Sequence, residues 1–161
     1  AVCWKPCWLN GRRSALVSKD VPLDTSAWLT WSQDEPGADE VEAYFEEAMD
    51  GDATLHSSFV SLTELKYITT QQFGTDKARE LLETMEDKPV RWHQSDRALC
   101  GEAAKLKAAH KVSFADAFVA ATAKRVDAVL IHKDPEFAAL AGVIKLQPLP
   151  PKTGTSAKST T

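Results

Sequence analysis

SFADAFVAATAKRVDAVLIHKDPEF, residues 113–137, decides the fold. Its first half reads as a helix from Ser113 to Arg125, opened by a hydroxyl with an acid three residues on, Ser113-x-x-Asp116. The run AFVAATA inside it is apolar on every side, so this helix is buried rather than laid on a surface. Ala128 to Ile131 follow as a short apolar run, the pattern of a strand covered on both faces, and it ends at His132-Lys133-Asp134. A buried helix feeding a doubly covered strand is the unit from which parallel sheets flanked by helices are built.

The same alternation extends outward in both directions. Val21 to Leu23 form a short apolar strand ending at Asp24. Glu35-Pro36-Gly37 punctuates the chain before a helix from Asp39 to Met49, with Val41, Tyr44, Phe45 and Ala48 at helical spacing. Thr54 to Val60 read as a strand, with Ser61 or Thr63 opening the next helix. Thr75 caps a helix running to Glu86, Val90 to Trp92 form a third strand, Ser95 to His110 a helix, and Val143 to Leu146 a last strand. The expected fold class is α/β: three layers, α/β/α, around a central parallel sheet of four to five strands. In such sheets ligands bind at the carboxyl ends of the strands.

The 161 residues make one domain, and 43% hydrophobic with 26% charged residues is ordinary for a globular chain. Residues 1–18, with two tryptophans, a proline and no periodicity, read as an N-terminal extension; residues 19–147 form the folded body. Residues 148–161, rich in Pro, Ser, Thr and Lys, read as a disordered tail. A net charge of −4 gives no general attraction to nucleic acid, so a polyanion must be drawn by local basic groups or by bound metal. Cys3, Cys7 and Cys100 cannot all pair and read as free thiols of a reducing cytosol, which places the protein in the cytoplasm. No apolar run is long enough for a membrane span.

Four acids stand out. Asp24 leaves the first strand, Glu64 lies within a helical turn of the second, Asp116 opens the buried helix, and Asp134 follows the fourth strand. Like charges resist shared burial, so acids repeated at strand exits call for a neutralising agent, and a hard cation such as Mg²⁺ or Mn²⁺ prefers carboxylate oxygen. Thr25 and Ser26 supply hydroxyls that can support Asp24. Each acid also has a purely structural explanation. Asp24 and Asp134 suit helix starts, and Ser61-x-x-Glu64 and Ser113-x-x-Asp116 match capping boxes. His56, His93, His110 and His132 lack metal-ligand spacing and read as surface or satisfied histidines, while Trp28 and Trp31 read as packing residues.

Order and context distinguish the acids further. LDTSAWLTWSQDEPGADEVEAYF, SSFVSLTEL, Asp96-Arg97-Ala98 and HKVSFADAFVAATAKRVDAVLIHKDPEF together resemble the PIN-domain ribonucleases, and most of all the VapC-type toxins of toxin–antitoxin pairs. The resemblance spans about residues 20–147 and implies a PIN-like fold. It implies a quartet of Asp24, Glu64, Asp116 and Asp134 that binds Mg²⁺ or Mn²⁺ and hydrolyses RNA, leaving 5′-phosphate and 3′-hydroxyl, with Thr25 or Ser26 as the accompanying hydroxyl. It implies a homodimer held inactive by a cognate antitoxin. Two features depart from the pattern: the extension, and Pro22 inside an interior parallel strand, where a missing N–H is awkward.

Other readings compete. Glu64-Leu65-Lys66 matches the text of a restriction-type nuclease, but that chemistry needs Lys66 on the same strand face as Glu64, and the segment reads as a helix. An aspartyl-phosphate phosphatase wants an acid where Ser26 stands. A non-catalytic PIN-like binding module, acting through a protein partner, would have no need of all four acids.

Overall fold

The computed structural model describes residues 19–152. The expectations for residues 1–18, Cys3 and Cys7 among them, and for residues 153–161 lie outside the described residues. The chain forms β1 (Lys19–Leu23), α1 (Thr25–Ser32), α2 (Ala38–Met49), β2 (Ala53–Ser58), α3 (Phe59–Phe73), α4 (Thr75–Glu86) and β3 (Val90–His93). It continues with α5 (Arg97–Ala109), α6 (Phe114–Arg125), β4 (Leu130–His132), a 3₁₀ turn (Pro135–Leu140) and β5 (Leu146–Pro148). The five strands form one parallel sheet in the order β3-β2-β1-β4-β5, flanked by helices on both faces. The result is a three-layer α/β/α fold. No helix among the described residues is long and apolar enough to cross a membrane.

Side chains alternate along a strand, so each face of the sheet carries its own core. On one face Val21, Leu23, Leu55 and Ile131 pack with Trp28, Val41, Phe45, Leu65 and Met85. On the other, Leu130 packs with Leu99, Leu106, Phe118, Phe137 and Leu140 from α5, α6 and the 3₁₀ turn. Trp28 is fully enclosed; its indole N–H donates to Ser57 Oγ (2.8 Å), and Ser57 in turn donates to the Leu23 carbonyl (3.0 Å). The tryptophan therefore fastens α1 to the ends of β1 and β2.

Pro22 lies in the central strand without interrupting the sheet. The Lys19 N–H faces β2, donating to Asp52 O, and the Asp24 N–H faces β4, donating to Ile131 O. By alternation position 22 faces β4, but the β1–β4 ladder begins only with Leu23 opposite Ile131. The missing donor thus falls just short of the ladder.

Several boundaries differ from the sequence reading. Helix α3 starts at Phe59, with Ser58 at the N-cap position, so β2 stops at Ser58 and neither Ser61 nor Thr63 opens the helix. Phe59 and Val60 are strand formers by type, but here they turn onto the second core, where Phe59 meets Phe118 edge-on at 5.2 Å. Gly74, with φ +90°, both ends α3 and precedes α4, so Thr75 is a first helical residue rather than a cap. The last strand is Leu146–Pro148 rather than 143–146, and Leu149 joins the first core. The folded body therefore reaches past the expected edge at residue 147.

Candidate active site

Asp24 stands where β1 gives way to α1. It is the N-cap of α1: its Oδ2 accepts from Ser26 N–H (3.0 Å) and from the Ser26 hydroxyl. Ser26 Oγ also accepts from the Lys133 N–H (2.8 Å), so the exit of β4 is tied through Ser26 to Asp24. The carboxylate is nonetheless almost entirely shielded, with 2% of its surface exposed. Burial, helped by the charge of Asp116, raises its pKa to about 7 against the pull of the Ser26 hydrogen bonds. The expected cap is real, and the same residue is a carboxyl poised to gain or lose a proton near neutrality.

Glu64 lies in α3, one turn beyond Ser61. Thr25 Oγ1 donates to Glu64 Oε2 at 2.6 Å. Ser61 Oγ lies 3.0 Å from Thr25 Oγ1, close enough for its own proton to be donated back. No capping box forms at Glu64, because Ser61 is already inside the helix. Burial raises the Glu64 pKa, the Thr25 bond offsets part of this, and the charges of Asp116 and Asp134 raise it further.

Asp116 completes a capping box at the start of α6: Asp116 N–H donates to Ser113 Oγ (3.0 Å), and Ser113 N–H donates to Asp116 Oδ2 (3.2 Å). The side chain is buried, and its charge is felt by both Asp24 and Glu64. Asp134 is the N-cap of the 3₁₀ turn, accepting from Glu136 N–H at 2.8 Å. Asp24, Asp116 and Asp134 thus cap local structure, Glu64 is held by Thr25, and charge links them in pairs: Asp116 acts on Asp24 and on Glu64, and Asp134 acts on Glu64.

The sheet register orders this centre. Leu23 pairs with Ser57 and with Ile131, and Ser58 pairs with His93. Asp24 follows Leu23 directly, Ser58 follows Ser57 and His132 follows Ile131, so alternation turns all three to the face opposite Leu23, the one covered by α5 and α6. Sequence reasoning took Ser61 only as a cap and did not single out Ser58 or the Lys133 amide. The i, i+3 spacing of Ser61 and Glu64 was the available signal for a shared helix face. Three of the histidines are satisfied: His56 bonds Asp20 (2.8 Å) and His93 (2.9 Å), and His132 bonds the Asp134 carbonyl (2.9 Å).

The donor set is all hard oxygen, and carboxylates that raise one another's pKa are the kind of group a hard divalent cation neutralises. In that sense the residues fit such an ion. Among the described residues, however, no three His, Cys, Asp or Glu side chains converge closely enough to hold one between them. Binding would draw side chains together rather than fill a finished cage.

Known proteins give the context. No curated protein matches the chain. Its fold is similar to that of VapBC2 from Rickettsia felis (TM-score 0.64, 13% identity, covering 81% of this chain and 99% of that one). It is also similar to DNA-bound VapBC from Salmonella typhimurium (0.61, 17%, covering 81% and 97%). A third is VapC20 of Mycobacterium tuberculosis, a Sarcin-Ricin loop cleaving toxin (0.61, 18%, covering 81% and 100%). Residues 21–143 match the PIN domain, and the chain belongs to that family.

Proposed function

We propose that this chain is a Mg²⁺- or Mn²⁺-dependent endoribonuclease, the toxin of a type II toxin–antitoxin pair acting in the cytoplasm. The observation that carries the reading is the coupling of Asp24, Glu64 and Asp116 at the carboxyl edge of a PIN-domain sheet, with Asp24 buried and its pKa raised to about 7. Carboxylates kept in that condition are unfavourable unless a cation completes them.

In this reading Asp24 and Asp116 are the central ligands, and Glu64 and Asp134 complete the ion's position or orient water. When bound, the ion offsets the charge of the scissile phosphate and acidifies the attacking water. The chain's own residues do the rest. Ser26 clamps Asp24 against the exit of β4, and Thr25 fixes the Glu64 carboxylate in one orientation. The substrate is RNA. The partner is a cognate antitoxin whose basic segment satisfies the same acids and masks the activity. The toxin itself is a homodimer.

The test is cleavage of a total RNA pool with Mn²⁺, with EDTA, and by Asp24→Asn. Cleavage by the native chain with Mn²⁺ alone is the expected result. Equal cleavage by Asp24→Asn would remove the acid centre from the reading. No cleavage under any condition, with the antitoxin absent, would favour a non-catalytic binding module.

A further inference from the structure

Among the described residues, two buried side-chain hydroxyls have no hydrogen-bond partner: Ser58 Oγ and Thr69 Oγ1. An orphaned buried hydroxyl is unfavourable by the desolvation it suffers, and each such group calls for an explanation. Ser58 occupies the N-cap position of α3 with an extended backbone (φ −81°, ψ 144°) that suits capping, yet its side chain caps nothing. Ser113, in the equivalent position before α6, does cap. Ser57, one residue earlier, is bonded to both Trp28 and Leu23 on the opposite face. Alternation therefore turns Ser58 toward the α5/α6 face; it pairs with His93 on β3, and on the β1 side it stands one residue past the last pair, Leu23 opposite Ser57, as Asp24 does. At 1% exposure it has no access to bulk water.

Resting on the ribonuclease reading above, we propose that Ser58 is a positioning residue of the acid centre, whose hydroxyl takes its hydrogen bond only when Asp24 and its neighbours hold a divalent cation, donating to a carboxylate or water oxygen around the ion. The N-terminal end of α3 lies at this point, and a helix N-terminus favours the negative charge of carboxylate ligands. A hydroxyl left unbonded in the metal-free chain supplies a donor without a competing partner to displace.

The experiment compares the native chain, Ser58→Ala and Thr69→Val, each binding Mn²⁺ in calorimetric titration and each melted in EDTA. Both variants remove an orphan hydroxyl, so both are expected to melt at or above the native temperature without metal. Only Ser58→Ala is expected to weaken Mn²⁺ binding, by about tenfold, the loss typical of groups that support metal ligands. RNA cleavage at subsaturating Mn²⁺ should fall with it and recover at high Mn²⁺. Unchanged Mn²⁺ affinity in Ser58→Ala would overturn the proposal and leave the ribonuclease reading standing. An equal loss in Thr69→Val would overturn it as well, since the effect would not be local. A native chain that takes up no Mn²⁺ would remove both readings together.

Discussion

At the scale of single residues, Asp24 and Glu35 shift in opposite directions, and this makes their contributions separable. Burial raises Asp24 to about 7. In the folded chain it therefore keeps its proton over a range where the unfolded chain has released it. Its contribution to stability is fully present below about pH 4 and is lost as pH climbs through about 7. The difference is on the order of 4 kcal/mol at most. Burial acts to raise Glu35 too, but bonds to Lys152 (2.6 Å) and Lys133 (3.0 Å) outweigh it, and the pKa falls. Its contribution is present at neutral pH and is lost on acidification. Urea unfolding in EDTA at pH 5 and pH 8, for the native chain and Asp24→Asn, isolates the first effect. The substitution is expected to stabilise the chain at pH 8 and much less at pH 5. A stabilisation equal at both pH values would mean that Asp24 does not titrate as its burial demands. Asp116 supplies a second test. Asn at this position keeps an acceptor for the Ser113 amide, so the cap survives, but the charge acting on Asp24 and Glu64 is gone. A carbon-detected NMR titration of Asp116→Asn should show Asp24 losing its proton at lower pH than in the native chain, together with loss of RNA cleavage. An unmoved Asp24 titration would place the two carboxyls out of each other's field.

At the scale of elements, the C-terminal segment is more than a tail. Leu149 is 4% exposed, packs into the Trp28 core, and donates its N–H to the His132 carbonyl (2.6 Å). The loop before α2 closes over it. Gly37 has φ +100°, and a Cβ there would lie 2.9 Å from Pro150 Cδ, while Glu35 bridges Lys133 and Lys152. A chain ending at Gln147 is expected to lose about 2–3 kcal/mol by urea unfolding, from the burial of Leu149 together with the Glu35–Lys152 ion pair. Gly37→Ala should cost about 2 kcal/mol in the full chain through backbone strain and the Pro150 clash, and less in the shortened one, where only the strain remains. Equal costs in both would mean that Pro150 does not press on Gly37. This corner was illegible in the sequence for a physical reason. Leu149 sits among prolines and lysines whose composition resembles a disordered tail, and only a tertiary groove gives it a partner. The β2–α3 junction failed differently. Thr54 to Val60 carry no Gly or Pro to mark the junction, and periodicity cannot separate a strand from the first turn of a helix when Phe59 and Val60 pack against the core either way. The alternation of elements, the buried α6 and the position of each acid were legible, because strand exits and helix starts are marked locally by residue type. The web of Thr25, Ser61 and the Lys133 amide was not, since it joins residues up to 107 apart in sequence.

At the scale of the whole molecule, the charge and the exposed apolar surface lie side by side at the start of α6. The acid centre occupies the carboxyl edge of the sheet, while Phe114, at the start of α6, is 69% exposed and stacks edge-on against Phe118 at 5.1 Å. Beside it lies an apolar groove lined by Cys100, Ala104 and Ala108 of α5. A large aromatic held rigidly in water over a groove of small side chains is unfavourable for a lone chain and suits a self-complementary contact, in which each copy offers the same patch to the other. The homodimer proposed above is expected to form through this α5/α6 face. Light scattering should give twice the 17.6 kDa of one chain, and Phe114→Glu should return the mass to that of one chain. Because the side chain is mostly exposed in the single chain, the substitution should change monomer stability by no more than about 1 kcal/mol. A native chain that stays monomeric at high concentration would sink the assignment, and a Phe114→Glu variant that remains dimeric would move the contact to another face. Phe114 stands two residues before Asp116, so the contact borders each acid centre, which RNA and the basic segment of a partner must reach alongside it. Co-expression with that partner should then mask cleavage without changing the number of toxin chains per particle from an even one.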